Sequence, residues 1–143
     1  MFIEYNEILA MLMEDRPEFA TELYSWTDGP ELPDYDAIEI SRQTIVSPRD
    51  DEQFRVCALA AYSKASEEVV AVLFDTVLAP DPDQAECWLQ FIENAQRALS
   101  CVVTFVVLCR DANTAKWARD YSAVGDIGHY VLPVVVPSLL PSA

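Results

Sequence analysis

One acidic residue set inside an apolar run is the first position in this chain that invites a chemical reading. Asp75 interrupts Glu68 to Leu78, a Val-rich stretch that also holds Phe74. An ionised group inside such a strand must lie at an edge, be paired, or serve a function. Asp81 and Asp83 follow closely in Pro80-Asp81-Pro82-Asp83, and grouped carboxylates are the ligands a hard cation such as Mg2+ takes. The structural alternative for that pair is helix initiation, because both stand at the positive end of a strongly helical pattern. Asp50, Asp51 and Glu52 form an acidic run in loop-like sequence and read as a solvated face. His129, the one histidine, follows Asp126-Ile127-Gly128 and reads as a surface or capping residue rather than a general base. The four cysteines, Cys57, Cys87, Cys101 and Cys109, fall in apolar segments without a C-x-x-C pair. Reduced, buried thiols are expected there, not disulfides or a zinc site. No Walker-type loop, nucleophile elbow, H-E-x-x-H or dinucleotide fingerprint is present, and Gly29, Gly125 and Gly128 are the only glycines. A glycine loop that cradles phosphate is thereby excluded.

The elements that must position these residues follow from apolar spacing. Ile3 to Met13 reads as a helix with Ile8, Leu9 and Leu12 as its stripe, and a second helix opens at Asp15 as N-cap, with Pro17 in its first turn and Phe19, Leu23 and Tyr24 apolar. Thr27 to Asp36 collects Gly29, Pro30 and Pro33 and is a loop. Strands are expected at Ala37 to Ser41, Phe54 to Tyr62 and Glu68 to Leu78, the last two joined by the turn Ser63-Lys64-Ala65-Ser66. Asp83 caps a helix whose apolar face is Trp88, Phe91, Ile92, Ala95 and Leu99. Cys101 to Cys109 is apolar on both pleat faces, as in a central strand. A helix at Asn113 to Asp120 and a strand at Tyr130 to Val136 complete the order. The result is an α/β (α+β) domain with an αβββαβ core, a mixed central sheet flanked by helices and an N-terminal helical segment.

Composition bounds the function. At 143 residues the chain suits a single domain, and 52% hydrophobic residues supply a core. The expected division is a helical segment at 1–26, the α/β core at 37–136 and a tail at 137–143. The apolar runs are too short for a membrane span, and the first residues carry acid where a secretory signal carries base, so a cytoplasmic location is expected. With 24 acidic and 9 basic residues the net charge is -15, of which residues 1–55 hold 14 acids and four Arg, or -10. Both parts repel a phosphate backbone, so direct nucleic-acid binding is disfavoured.

The segment Phe74 to Arg119 carries a family likeness: P-D-P-D before a helix, a Trp at its first turn, a Cys opening a Val-rich strand that ends L-C-R-D, and then A-K-W-A-R. Asn6-Glu7-Ile8-Leu9 and Glu14-Asp15-Arg16-Pro17-Glu18-Phe19 add to it. The chain resembles actinobacterial proteins related to recombination-promoting nucleases and transposase-type proteins of the PD-(D/E)xK superfamily. That resemblance implies a restriction-endonuclease-like core. It also implies a metal site with an aspartate on the second core strand and an E-x-K or E-x-Q element on the third, where the metal activates water beside the scissile phosphate. The aspartate position falls at Cys57, the glutamate becomes Asp75 and the lysine or glutamine becomes Val77. Spacing is kept and chemistry is not, which makes Asp75 a vestige of the motif.

Three functional expectations follow. The first is a catalytically inactive nuclease-like protein acting as a protein-binding or regulatory module, linked to defence or mobile elements, with no cofactor and a basic protein partner. Tyr24, Trp26 and Tyr35, set among acids, are its expected contact surface. The second is a divergent Mg- or Mn-dependent nuclease using Asp75 with Asp81 or Asp83 as metal ligands. The third is an acidic nucleic-acid mimic. Val134, Val135 and Val136, with Leu139 and Leu140, also form an apolar strip suited to a homodimer partner.

Overall fold

Apolar residues that alternate make strands, and apolar residues three and four apart make helices. Both patterns resolve here into layers. The computed structural model describes residues 5–47, 54–124 and 131–135. Among them the order is α1 (Tyr5–Asp15), α2 (Glu18–Ser25), β1 (Ala37–Val46), β2 (Phe54–Lys64), β3 (Glu67–Val77), α3 (Pro82–Ala98), β4 (Val102–Cys109), α4 (Ala112–Val124) and β5 (Val131–Val135). The strands make one five-stranded sheet in the order β1-β2-β3-β4-β5. β1 to β3 form an antiparallel meander, and β4 and β5 run parallel to β3 after crossovers that include α3 and α4. The expected mixed α/β class and mixed sheet are therefore present.

Strand alternation divides the core in two. On one face Leu9, Ala10 and Met13 of α1 and Ala20 and Leu23 of α2 pack on Ala58, Tyr62, Val72 and Phe74. On the other, Trp88, Phe91, Ile92 and Ala95 of α3 and Ala115 and Ala118 of α4 pack on Leu59, Leu73, Phe105 and Val107. The Trp88 ring lies 6.0 Å between centroids from Phe105, Trp117 and Tyr121, a spacing at which aromatic edges meet faces. β4 is buried on both faces from Val103 to Cys109, which is why its sequence lacks alternation.

Several boundaries depart from expectation, each for a physical reason. In α1 Leu9 turns inward with Ala10 and Met13, while Ile8 and Leu12 face out. Asn6, Leu9, Ala10 and Met13 repeat at helical spacing, and hydrogen bonds between Asn6 and the sheet, donated to the Val56 carbonyl and accepted from the Thr76 amide, fix that face. Asp15 ends α1 rather than capping α2, whose N-cap is Pro17 without a side-chain capping bond. β1 continues past Ser41 to Val46, because an edge strand tolerates Arg42, Gln43 and Thr44 while Ile45 turns into the core. Asp81, not Asp83, caps α3, accepting from the amides of Asp83 and Gln84. Asp111 caps α4, accepting from the Thr114 amide at 2.8 Å, so that helix begins at Ala112. Only Ala65 and Ser66 separate β2 from β3, with φ of 53° and 66°, the left-handed pair of a type I′ hairpin. The Asp36 carboxylate accepts from the Ala65 amide at 3.1 Å and holds that turn.

Tyr130, Val136, the tail at 137–143, His129, Asp50, Asp51 and Glu52 lie outside the described residues. Val134 packs beside the α1/α2 cluster, so that part of the expected dimer strip is half-buried, whereas Val135 is exposed. Among the described residues no helix is long and apolar enough to cross a membrane.

Candidate functional site

β3 carries Asp75 to its C-terminal end, from which the chain passes through Leu78 and Pro80 into α3. Alternation turns Leu73 and Val77 toward α3, and Asp75, between them, meets Gln84 and Trp88 of that helix. The pairing of Ala58 with Phe74 sets Cys57 beside Asp75. The three positions singled out by the family likeness therefore come together on one face of the sheet, and their chemistry can be read directly.

Asp75 is 3% exposed, and both its oxygens are occupied by N–H donors. Asn6 Nδ2 donates to Oδ1 at 2.6 Å, Trp88 Nε1 donates to Oδ2 at 2.8 Å, and Gln84 Nε2 reaches Oδ1 and Oδ2 at 3.0 and 3.1 Å. The amide orientations are dictated by their other partners. Asn6 Oδ1 accepts from the amide of Thr76 at 2.8 Å and from its hydroxyl, and Nδ2 also donates to the Val56 carbonyl at 2.9 Å. Gln84 Nε2 also donates to the Thr76 carbonyl at 2.8 Å. Gln84 and Trp88 are four residues apart on α3 and so share a face. One carboxylate thus ties α1, β3 and α3 together.

Burial raises the Asp75 carboxyl above the ordinary carboxylate value, and the bonds from Asn6, Trp88 and Gln84 oppose that rise. Burial drives the Cys57 thiol well above its usual range, and the charge of Asp75 pushes it the same way. Val77 is fully buried and offers no ligand atom. Asp81 lines the adjacent cleft, but its Oδ1 is held by the α3 amides at 3.1 and 3.2 Å. Asp83 is exposed on the first turn of α3 and is not part of that lining.

A divalent cation requires several outward oxygen donors, and this set does not fit one. Its central carboxylate is saturated by N–H groups, its thiol is held protonated and its third position is a hydrocarbon. Among the described residues no group of three His, Cys, Asp or Glu side chains is placed to hold a metal ion.

Beside Asp75 opens a cleft of about 530 Å3, at the carboxyl end of β3 and the amino end of α3. Tyr5, Asn6, the apolar Leu78, Pro80 and Phe91, and the positively charged Arg55 are among the residues that line it. The Arg55 Nε is buried and has no hydrogen-bond partner.

Comparison of the chain with protein-family models, curated proteins and solved structures finds no match.

The sequence singles out Asp75 but not the residues that hold it. Asn6 enters only as part of an opening helix and Trp88 only as core. The available signal was physical: a buried carboxylate demands N–H donors, and the inward face of α3 presents Gln84 and Trp88 one turn apart.

Proposed function

We propose that this chain is a PD-(D/E)xK-type scaffold without a working metal centre, acting as a protein-binding or regulatory module. The element order supports the scaffold. α1, the β1-β2-β3 meander, α3 and a fourth strand parallel to β3 make an αβββαβ sequence, to which α2, α4 and β5 are additions. The observation that carries the loss of the metal centre is the saturation of Asp75. Its oxygens accept from Asn6, Gln84 and Trp88 while Cys57 and Val77 stand at the other motif positions. A carboxylate committed to neutral donors is a structural strut, and withdrawing it to ligate a cation would leave those donors unpaired.

Binding to protein is supported by the surface. The outer face of α1 presents Ile8, Met11 and Leu12, at 37%, 57% and 51% exposure, beside the exposed acids Glu14 and Asp15. Exposed apolar groups rimmed by carboxylates suit a basic partner with an apolar stripe. Of the aromatics expected to form the contact surface, Tyr24 is buried and donates its hydroxyl to the Pro30 carbonyl. Trp26 and Tyr35 remain exposed, with Tyr35 edge-on to Tyr62 at 4.8 Å between ring centroids. The surface therefore rests on α1, Trp26 and Tyr35 rather than on Tyr24.

A cleavage assay tests the reading. Purified protein with Mg2+ or Mn2+ is expected to leave single-stranded, double-stranded and structured DNA and RNA intact. Metal-dependent cleavage that disappears in Asp75→Ala would establish the divergent nuclease instead.

A further inference from the structure

We propose that the cleft beside Asp75 binds a carboxylate attached to an apolar body, anchored by the guanidinium of Arg55. The inference rests on the metal-free reading of the same cleft, because a metal centre there would claim the site for other chemistry.

The argument starts from an unmet donor. Arg55 Nε is shielded from solvent and makes no hydrogen bond, whereas buried N–H groups are almost always paired. The acids that line the cleft do not supply the acceptor. Both oxygens of Asp75 are occupied by Asn6, Gln84 and Trp88, and Asp81 accepts from the amino end of α3. Arg55 and Asp75 feel one another's charge but form no ion pair among those of the described residues. These groups leave the Arg55 Nε–H without an acceptor, on a residue that lines the cleft.

Size, lining and charge then set the class of ligand. A volume of about 530 Å3 lies in the range of small-molecule sites. The wall of Val56, Leu78, Pro80, Cys87 and Phe91 takes an apolar body, and Arg55 stands on the same lining. The Nε and Nη groups of a guanidinium form a planar fork that matches the two oxygens of a carboxylate. A phosphate dianion would bring more negative charge toward Asp75 and Asp81, with Arg55 as the cation of this lining. A monoanion with an apolar body fits better. That chemistry is offered both by free organic acids and by the C-terminus of a peptide ending in an apolar residue.

The Arg55 Nε–H is itself the probe. The nitrogen-15-labelled full chain is titrated with 4-phenylbutyrate, its neutral amide, phenyl phosphate, and N-acetyl-glycyl-leucine as free acid and as amide. The Arg55 Nε–H and Trp88 indole N–H resonances are followed. The acid is expected to shift both resonances saturably at about millimolar concentration or below, and its amide to bind at least about tenfold more weakly. The dipeptide pair distinguishes the sources: a dipeptide acid that binds more tightly than phenylbutyrate assigns the cleft to a chain terminus, and the reverse order to a free acid. Arg55→Met is expected to abolish the shift, and Arg55→Lys, which keeps charge but loses the fork, to weaken binding about tenfold. If Arg55→Met loses native spectral dispersion, Arg55→Lys carries the test. Equal binding of acid and amide, tighter binding of phenyl phosphate, or no shift up to about 10 mM acid overturns the proposal. Mn2+ added to a separate sample keeps the two readings apart. Paramagnetic broadening centred on Trp88 would overturn the metal-free reading, whereas the acid titration alone judges the role of Arg55.

Discussion

Replacing Trp88 by Phe removes one N–H donor from Asp75 while keeping an aromatic ring in the α3 core. Trp88 Nε1 donates to Oδ2 at 2.8 Å in a fully buried setting. A hydrogen bond to a charged acceptor contributes about 1.5 to 3 kcal/mol. The smaller ring also loses contact with Phe105, Trp117 and Tyr121, a loss of roughly 1 kcal/mol, the scale of one buried methylene. The expected deficit at pH 7 is therefore about 3 kcal/mol, and its pH dependence separates the two parts. Burial holds the folded-state Asp75 carboxyl above its unfolded value, so the folded protein takes up this proton first as pH falls. The contribution of the group to stability is fully present below the ordinary carboxylate value and is lost as pH rises through the raised one. Removing the indole donor pushes the carboxyl further up and enlarges that loss. The deficit should therefore shrink as pH falls toward the ordinary carboxylate range. Urea titrations of wild type and Trp88→Phe at pH 7 and pH 4, compared by midpoint and slope, measure it. Equal deficits at the two pH values, or a larger one at pH 4, would refute the assignment of Asp75 as a carboxylate held by N–H donors.

Other expectations follow from the same contacts. Asn6→Ala should cost about 3 kcal/mol, because Asp75, the Thr76 amide and the Val56 carbonyl each lose a partner, and the Thr76 amide should exchange with solvent markedly faster. Ser66→Gly should stabilise the chain by about 0.5 to 1 kcal/mol, since φ there is 66° and glycine adopts that region without steric cost; thermal unfolding reads it. In the native state a thiol reagent at pH 8 should modify the partly exposed Cys101 first. Cys57 and Cys109 should react only as the protein unfolds, since both are buried and burial pushes Cys109 up to about 12.

Much of the architecture is legible in the sequence because long apolar periodicities are strong signals. The inward face of α3, from Trp88 to Ala95, follows from three- and four-residue spacing alone, and the unbroken apolar run of β4 implies a strand covered on both sides. What escapes is whatever depends on a partner distant in sequence. Nothing local in Tyr5 to Asp15 tells which stripe of α1 turns inward, since Ile8 and Leu12 are as apolar as Leu9; the choice is made by Asn6 reaching residues 50 and 70 positions away. Likewise β1 extends through Arg42 to Thr44 because β2 offers ten paired positions, a property of the neighbour rather than of the strand. At the site the sequence isolates Asp75 as anomalous, and its geometry then explains the anomaly. The two carboxylates thought able to assist are committed otherwise, Asp81 to capping and Asp83 to the exposed first turn of α3. Arg55 escaped because an arginine at a strand opening is unremarkable until its Nε proves buried and unpaired.

The proposal that Asp75 is a structural carboxylate and not a metal ligand is tested most directly by calorimetric titration of the purified chain with Mn2+, with Asp75→Ala as reference. The account predicts no saturable heat for the wild type, because both Asp75 oxygens are engaged by N–H donors and Cys57 and Val77 offer no hard ligand. Saturable Mn2+ binding by the wild type that vanishes in Asp75→Ala would contradict it and return Asp75 to the role of a metal ligand.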